Sequence, residues 1–134
     1  MLTTSSTHQN IRIGLTGAGS MGKGIAFQIH ATPGMELSWV MDMDPQAAST
    51  AAGLGHCPVH GADFQQLLDD HPIDVLVEAT NSIGAAADYC LSALGAGAHI
   101  VLMNAEVDLA LAPLLQHEAQ QTQTIAHRKR GNLK

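Results

Sequence analysis

A chain of 134 residues that is 46% apolar and only 13% charged has the size of one folded domain and is too apolar to be disordered throughout. No apolar run approaches the ~20 residues that a membrane helix needs, so a spanning protein is excluded. The net charge is −6, but Arg128, Lys129, Arg130 and Lys134 crowd the carboxyl end. The body is left with Arg12 and Lys23 against all 12 acids, and so acidic a surface repels a nucleic-acid backbone.

The opening MLTTSSTHQN is polar and has no apolar stretch of the kind a secretory leader carries. Residues 1–10 are therefore expected to be disordered and the protein cytoplasmic. Ile11 to Thr16 reads as a first strand and ends in the glycine-rich GAGSMG. Lys23 to Ala31 reads as a helix, with Ile25, Ala26, Ile29 and His30 near one face. Thr32-Pro33-Gly34 stops it, because proline cannot continue a helix and glycine tolerates the turn. Glu36 to Met41 is a second strand. Asp44 then suits an N-cap with Pro45 at the first helical position, opening a helix over 45–52.

Residues 53–61 read as a loop with a very short strand near Pro58-Val59. Its His56-Cys57-Pro58-Val59-His60 run lacks the second ligand pair of a zinc site and is taken as a polar loop, with no metal expected. Asp63 to Asp70 is a short helix with Phe64, Leu67 and Leu68 inward. Ile73 to Ala79 is a strand, Ile83 to Leu94 a helix, His99 to Met103 a strand, and about Asp108 to Gln121 a last helix. Cys57 and Cys90 do not form a disulfide framework in a chain this long, and Cys90 suits the core. Strand–helix alternation with crossovers of this length demands parallel pairing. The fold class is thus α/β, a doubly wound parallel sheet of the Rossmann type over residues 11–124, followed by a basic tail over 125–134.

Gly17-Ala18-Gly19-Ser20-Met21-Gly22 is a G-x-G-x-x-G that follows a strand and opens a helix. Gly17 permits the tight turn, Gly19 lets a pyrophosphate approach the backbone, and Gly22 lets the helix pack closely. The anion would rest on N–H groups at the positive end of that helix. Asp42 follows Gly22 by twenty residues, at the end of the second strand, where a carboxylate accepts bonds from both adenosine ribose hydroxyls. Asp42 would repel a 2′-phosphate, and its neighbour is Met43 where an arginine would welcome one. NAD is therefore favoured over NADP.

Further polar residues at predicted strand ends are Glu78, Thr80, Asn81, Ser82, Asn104, Glu106 and Asp108, where ligands of open α/β sheets bind. Glu106 reads chiefly as a residue at the start of the last helix. Glu78 reads as a buried side chain bonded to neighbouring backbone.

The runs IRIGLTGAGSMGKGIAFQI, PGMELSWVMDMD and IDVLVEATNSIGAAADYCLSALGAGAHIVLMNAEVD, with the PLL of the last helix, cover about residues 11–120. They resemble the homoserine-dehydrogenase-like oxidoreductases that carry a C-terminal SAF domain, a family that includes deoxyxylulose-phosphate reductoisomerase-like enzymes. The resemblance implies a cofactor domain in which Gly17, Gly19 and Gly22 hold the pyrophosphate and Asp42 the ribose. It further implies that Thr80-Asn81 and Met103-Asn104 line the nicotinamide side. Homoserine dehydrogenases have a catalytic lysine where this chain has Ala105, and the family's proteins run several hundred residues. The expectation is a cofactor domain without its substrate domain, inactive alone. A non-catalytic dinucleotide-binding module or remnant is the other reading. The leucines Leu109, Leu111, Leu114 and Leu115 spread over more than one face of the last helix, which points to a homodimer.

Overall fold

The computed structural model describes residues 9–122 and 126–128. Six strands, β1 (Ile11–Thr16), β2 (Met35–Met41), β3 (His60–Gly61), β4 (Val75–Glu78), β5 (His99–Leu102) and β6 (Ala126–Arg128), form one sheet. Their order is β3-β2-β1-β4-β5-β6, and every pairing is parallel. Helices α1 (Ser20–Ala31), α2 (Pro45–Leu54), α3 (Phe64–Asp70), α4 (Ile83–Gly95) and α5 (Ala105–Thr122) connect them. The chain winds outward from β1 to β3, then returns to β4 on the other side of β1. The carboxyl ends of β1 and β4 thus flank the switch point at which doubly wound sheets bind ligands.

A parallel sheet is buried on both faces, so its strands are apolar on both sides. Leu76, Ile100 and Leu102 point to one face, with Phe64 of α3, Cys90 of α4 and Leu115 of α5. Val77 and Val40 point to the other, with Ala26 and Ile29 of α1 and Ala48, Ala51 and Ala52 of α2. On β2 the alternation slips once. Ile13 pairs with Leu37 but Gly14 with Trp39, leaving Ser38 as an extra residue. The bulge turns the Trp39 indole onto the α3–α5 face, where it meets Phe64 edge-on at 5.7 Å and donates its Nε1–H to the His71 carbonyl at 3.0 Å. Gly14 makes room for it: a Cβ there would lie 2.5 Å from the Trp39 ring.

Local chemistry moved several expected boundaries. α1 begins at Ser20, three residues before the apolar periodicity becomes visible. α5 begins at Ala105 because Asn104 caps it, its Oδ1 accepting from the Glu106 N–H at 2.9 Å and the Val107 N–H at 3.2 Å. Asp44 caps α2 through the Gln46 N–H, as its position before Pro45 foretold. The short strand lies at His60–Gly61, beside Val40 and Met41, just past Pro58-Val59. His30 is exposed instead of lying on the inward face with Ala26 and Ile29, and its ring stacks on His56 at 3.8 Å.

The largest correction concerns the carboxyl end. Ala126–Arg128 were expected in a basic tail, yet they pair in parallel with Ile100–Leu102. α5 carries the chain back along the sheet, and a sixth strand satisfies the polar edge that β5 would otherwise expose. The disordered segment expected over 1–10 lies outside the described residues apart from Gln9 and Asn10, and the tail likewise apart from 126–128.

Candidate functional site

A cleft of about 330 Å³ opens where the carboxyl ends of β1, β2 and β4 meet, with α4 as its far wall. Its floor is the turn after β1. Gly17 has φ +97°, and a Cβ there would strike the Ala79–Thr80 peptide at 2.5–2.7 Å, so glycine is required on both counts. A Cβ on Gly22 would lie 2.0 Å from the Gly17 carbonyl oxygen; its absence lets α1 start against the turn. At Gly19 a Cβ would meet nothing within 4 Å. Gly19 is also the N-cap of α1 and brings no side chain to that helix end. Of the three glycines of this motif, Gly19 is thus the one with open space above it, at a positive helix terminus whose bare backbone can receive an anion.

Asp42 ties this turn to β2. Its Oδ2 accepts the Ala18 N–H at 2.6 Å and its Oδ1 accepts the Asp44 N–H at 2.8 Å. Each carboxylate oxygen keeps a lone pair for a ligand hydroxyl. The Ala18 carbonyl accepts from Lys23 Nζ at 2.7 Å, so the peptides on both sides of Ala18 are held. The Gly17 N–H donates to the Met41 carbonyl at 2.9 Å, and Met43 beside Asp42 is 72% exposed.

Of the residues expected to bind a dinucleotide, Gly17, Ala18, Gly19, Asp42, Met43, Thr80 and Asn81 line this one cleft. Ser20, Met21, Gly22, Met103 and Asn104 do not. Gly22 acts beneath the turn, and Met21 belongs to an apolar groove along α1 with Phe27 and Ile29. The Met103 N–H donates to the Glu78 carbonyl. Asn104 reaches the cleft only through Asn81, donating Nδ2–H to Asn81 Oδ1 at 2.8 Å while it caps α5. Glu106 is exposed in the first turn of α5, where its charge complements the helix dipole.

Two residues of the site were not singled out as ligands by sequence. Tyr89 lines the cleft from α4, its ring stacked on Phe64 at 4.6 Å; burial pushes its phenol up, and the charges of Glu78, Asp88 and Asp42 add to this. The available signal was the four-residue spacing of Ala85 and Tyr89 in a helix capped by Ser82, which sets both on one face. Glu78 is 1% exposed. It bonds neighbouring backbone as expected, through the Thr80 N–H at 2.8 Å, but it also takes the hydroxyls of Thr80 and of Thr16 at 3.2 Å. Burial raises its carboxyl above the ordinary value, against the opposing pull of these bonds. Cys90 is fully buried in the core, and burial pushes its thiol far up.

Residues 17–127 match the family described as homoserine dehydrogenase, NAD binding domain. No curated protein sequence matches the chain. Among solved structures, scyllo-inositol dehydrogenase from Lactobacillus casei, with bound NAD(H) and scyllo-inositol, superposes with a TM-score of 0.76 at 22% identity. The match covers 90% of this chain and 36% of that one. GenD2 from gentamicin A biosynthesis, in complex with NAD, gives 0.78 at 21% identity over 90% of this chain and 34% of its own. The WlbA dehydrogenase from Chromobacterium violaceum, with NADH and UDP-GlcNAcA, gives 0.74 at 22% over 91% and 35%. These are likenesses of fold, and the chain spans about a third of the length of the structures it resembles. No described helix is long and apolar enough to cross a membrane.

Proposed function

We propose, given that the chain belongs to the family of homoserine dehydrogenase NAD-binding domains, that it is the cofactor-binding part of a homoserine-dehydrogenase-like oxidoreductase and prefers NAD to NADP. The observation that carries this reading is the turn Gly17–Gly19 with open space above Gly19 and Asp42 fixed at the end of β2. The pyrophosphate would rest on the turn and the start of α1, and the adenosine ribose against Asp42, with Tyr89 and Met43 at that end of the cleft. Thr80 and Asn81 would then face the nicotinamide side.

Bound dinucleotide supplies the hydride chemistry, and the protein's part is to hold and orient it. Turnover also needs a substrate in near-attack geometry with a proton donor or acceptor in reach. The position that carries the family's catalytic lysine is Ala105, exposed at the start of α5. We therefore propose that the 134-residue chain binds cofactor but does not oxidise homoserine or reduce deoxyxylulose phosphate by itself, and that it works in the cytoplasm. Calorimetric titration with NADH and NADPH tests the preference. Tighter binding of NADH is expected, because Asp42 meets the ribose hydroxyls of one and repels the 2′-phosphate of the other. Equal or tighter binding of NADPH would overturn the role given to Asp42.

A further inference from the structure

Glu78 is a nearly inaccessible carboxyl whose partners are two hydroxyls and one amide, none of them cationic. Its hydrogen bonds count out completely. A carboxylate donates nothing, so every proton between Glu78 and its neighbours comes from Thr80 or Thr16. The Thr80 hydroxyl therefore points its hydrogen down at Glu78. Its oxygen lone pairs are left for the cleft that Thr80 lines.

We infer that Glu78 is a positioning residue that sets the hydrogen-bonding sense of the cleft at Thr80. As a carboxylate it makes the Thr80 oxygen an acceptor for an O–H or N–H donor of the bound ligand. Once protonated on the oxygen that faces Thr80, Glu78 donates its own hydrogen to the Thr80 oxygen, and the Thr80 hydroxyl is released to turn its hydrogen into the cleft. The same cleft position then presents a donor, and a ligand donor no longer finds its acceptor. The inference rests on the dinucleotide reading, and the ligand group it names is a neutral donor, either a ribose hydroxyl or the nicotinamide carboxamide.

The surroundings suit such a switch. Tyr89 and Cys90 of α4 face Glu78 and feel its charge, Thr16 faces it from β1, and buried Asp108 lies in the first turn of α5 beyond β5. Desolvation favours proton uptake at Glu78, and its hydrogen-bond partners among the described residues include no cation.

The test is NADH affinity as a function of pH in the full chain, read by quenching of Trp39, its one tryptophan. In the wild type, binding should weaken as pH falls and Glu78 takes up its proton. Glu78→Gln should bind across the range without that fall. Glutamine carries no titratable proton, so its hydrogen bonds to Thr80 and Thr16 keep one arrangement at every pH. Thr80→Val removes the acceptor and should weaken NADH about three- to tenfold at neutral pH, the worth of one neutral hydrogen bond, with the difference from the wild type closing as pH falls and Glu78 takes up its proton. ADP-ribose separates the two donors: a Thr80→Val loss that persists with it assigns the ribose hydroxyl, and one that disappears assigns the carboxamide. A Glu78→Gln profile that falls with pH like the wild type, or a Thr80→Val chain that binds like the wild type at neutral pH, overturns the inference while leaving the cofactor reading intact. A wild-type chain that gives no NADH signal overturns both.

Discussion

Replacing Gly19 with valine separates the fold of the turn from its chemistry. The backbone at Gly19 is extended, with φ −74° and ψ −163°, a conformation that β-branched residues adopt readily. A Cβ there meets no protein atom within 4 Å, so the thermal midpoint should stay close to that of the wild type. The space it fills is the space a pyrophosphate needs in order to reach the N–H groups at the start of α1. Hydrogen bonds to a charged group are worth about 1.5–3 kcal/mol each, and loss of two would cost about 3–6 kcal/mol. At about 1.4 kcal/mol per decade, NADH affinity should fall at least a hundredfold. Quenching of Trp39 by added NADH, run beside a melting curve, reads both quantities on one sample. Gly22→Ala is the contrasting variant, since its Cβ would stand 2.0 Å from the Gly17 carbonyl and should depress stability as well as binding. If Gly19→Val binds NADH within about threefold of the wild type, the phosphate does not sit on this turn and the whole placement of the cofactor fails.

Three further outcomes are expected. Gly14→Ala should destabilise by about 1–3 kcal/mol, the cost of overpacking, because the Trp39 indole fills the place of its Cβ; Gly24→Ala, mid-helix and in open space, should instead stabilise by about 0.5–1 kcal/mol, and calorimetric melting checks both signs. The side-chain hydrogen bond from Arg12, with the Arg12 N–H and the guanidinium charge, holds the Asp74 carboxyl below its ordinary value. That contribution is present above the unfolded carboxylate pKa of about 3.9 and lost as pH falls through the lowered folded value. Asp74→Asn should therefore lower the midpoint at neutral pH and not in strong acid, and only slightly, because the pair is nearly half exposed. Leu111 and Leu115 are buried against the domain while Leu109 and Leu114 remain 62% and 44% exposed, so the homodimer proposed from this helix would use the latter two; Leu109→Ser with Leu114→Ser should leave a monomer by light scattering, and a wild-type chain already monomeric at high concentration refutes the proposal.

The parts of this molecule legible in its sequence are those in which a short stretch dictates its own geometry. The turn after β1 is one: three glycines at fixed spacing answer three local steric demands, and two of these are visible as contacts of 2.0–2.7 Å that a Cβ would make. The capping of α2 by Asp44 is another, since the cap and the N–H it satisfies lie two residues apart. What sequence leaves open is pairing across distance. β6 reads as a charged tail because nothing within residues 126–128 announces that they will lie beside Ile100–Leu102. The bulge at Ser38 is invisible until Gly14 is found to be the residue that admits Trp39.

The same distinction runs through the cleft, whose two ends differ in how far local sequence determines them. The end proposed for the adenosine depends on backbone and on one carboxylate, and Asp42 lies at the end of β2 beside the glycine turn. The other end depends on side chains whose roles are divided between ligand and scaffold. Asn104 is expected from the family resemblance to contact the cofactor, yet its Oδ1 is engaged by the start of α5 and its Nδ2 by Asn81. Its effect on a ligand must pass through the Asn81 side chain that it orients. Glu78 has the character of a buried strand residue, yet it governs which way the Thr80 hydroxyl points. Its partner Thr16 is 62 residues away, so no local pattern could join them. On this side the sequence names the groups that line the cleft, Thr80 and Asn81, but the residues that orient them emerge only from the hydrogen bonds beneath, where β1, β4 and β5 come together.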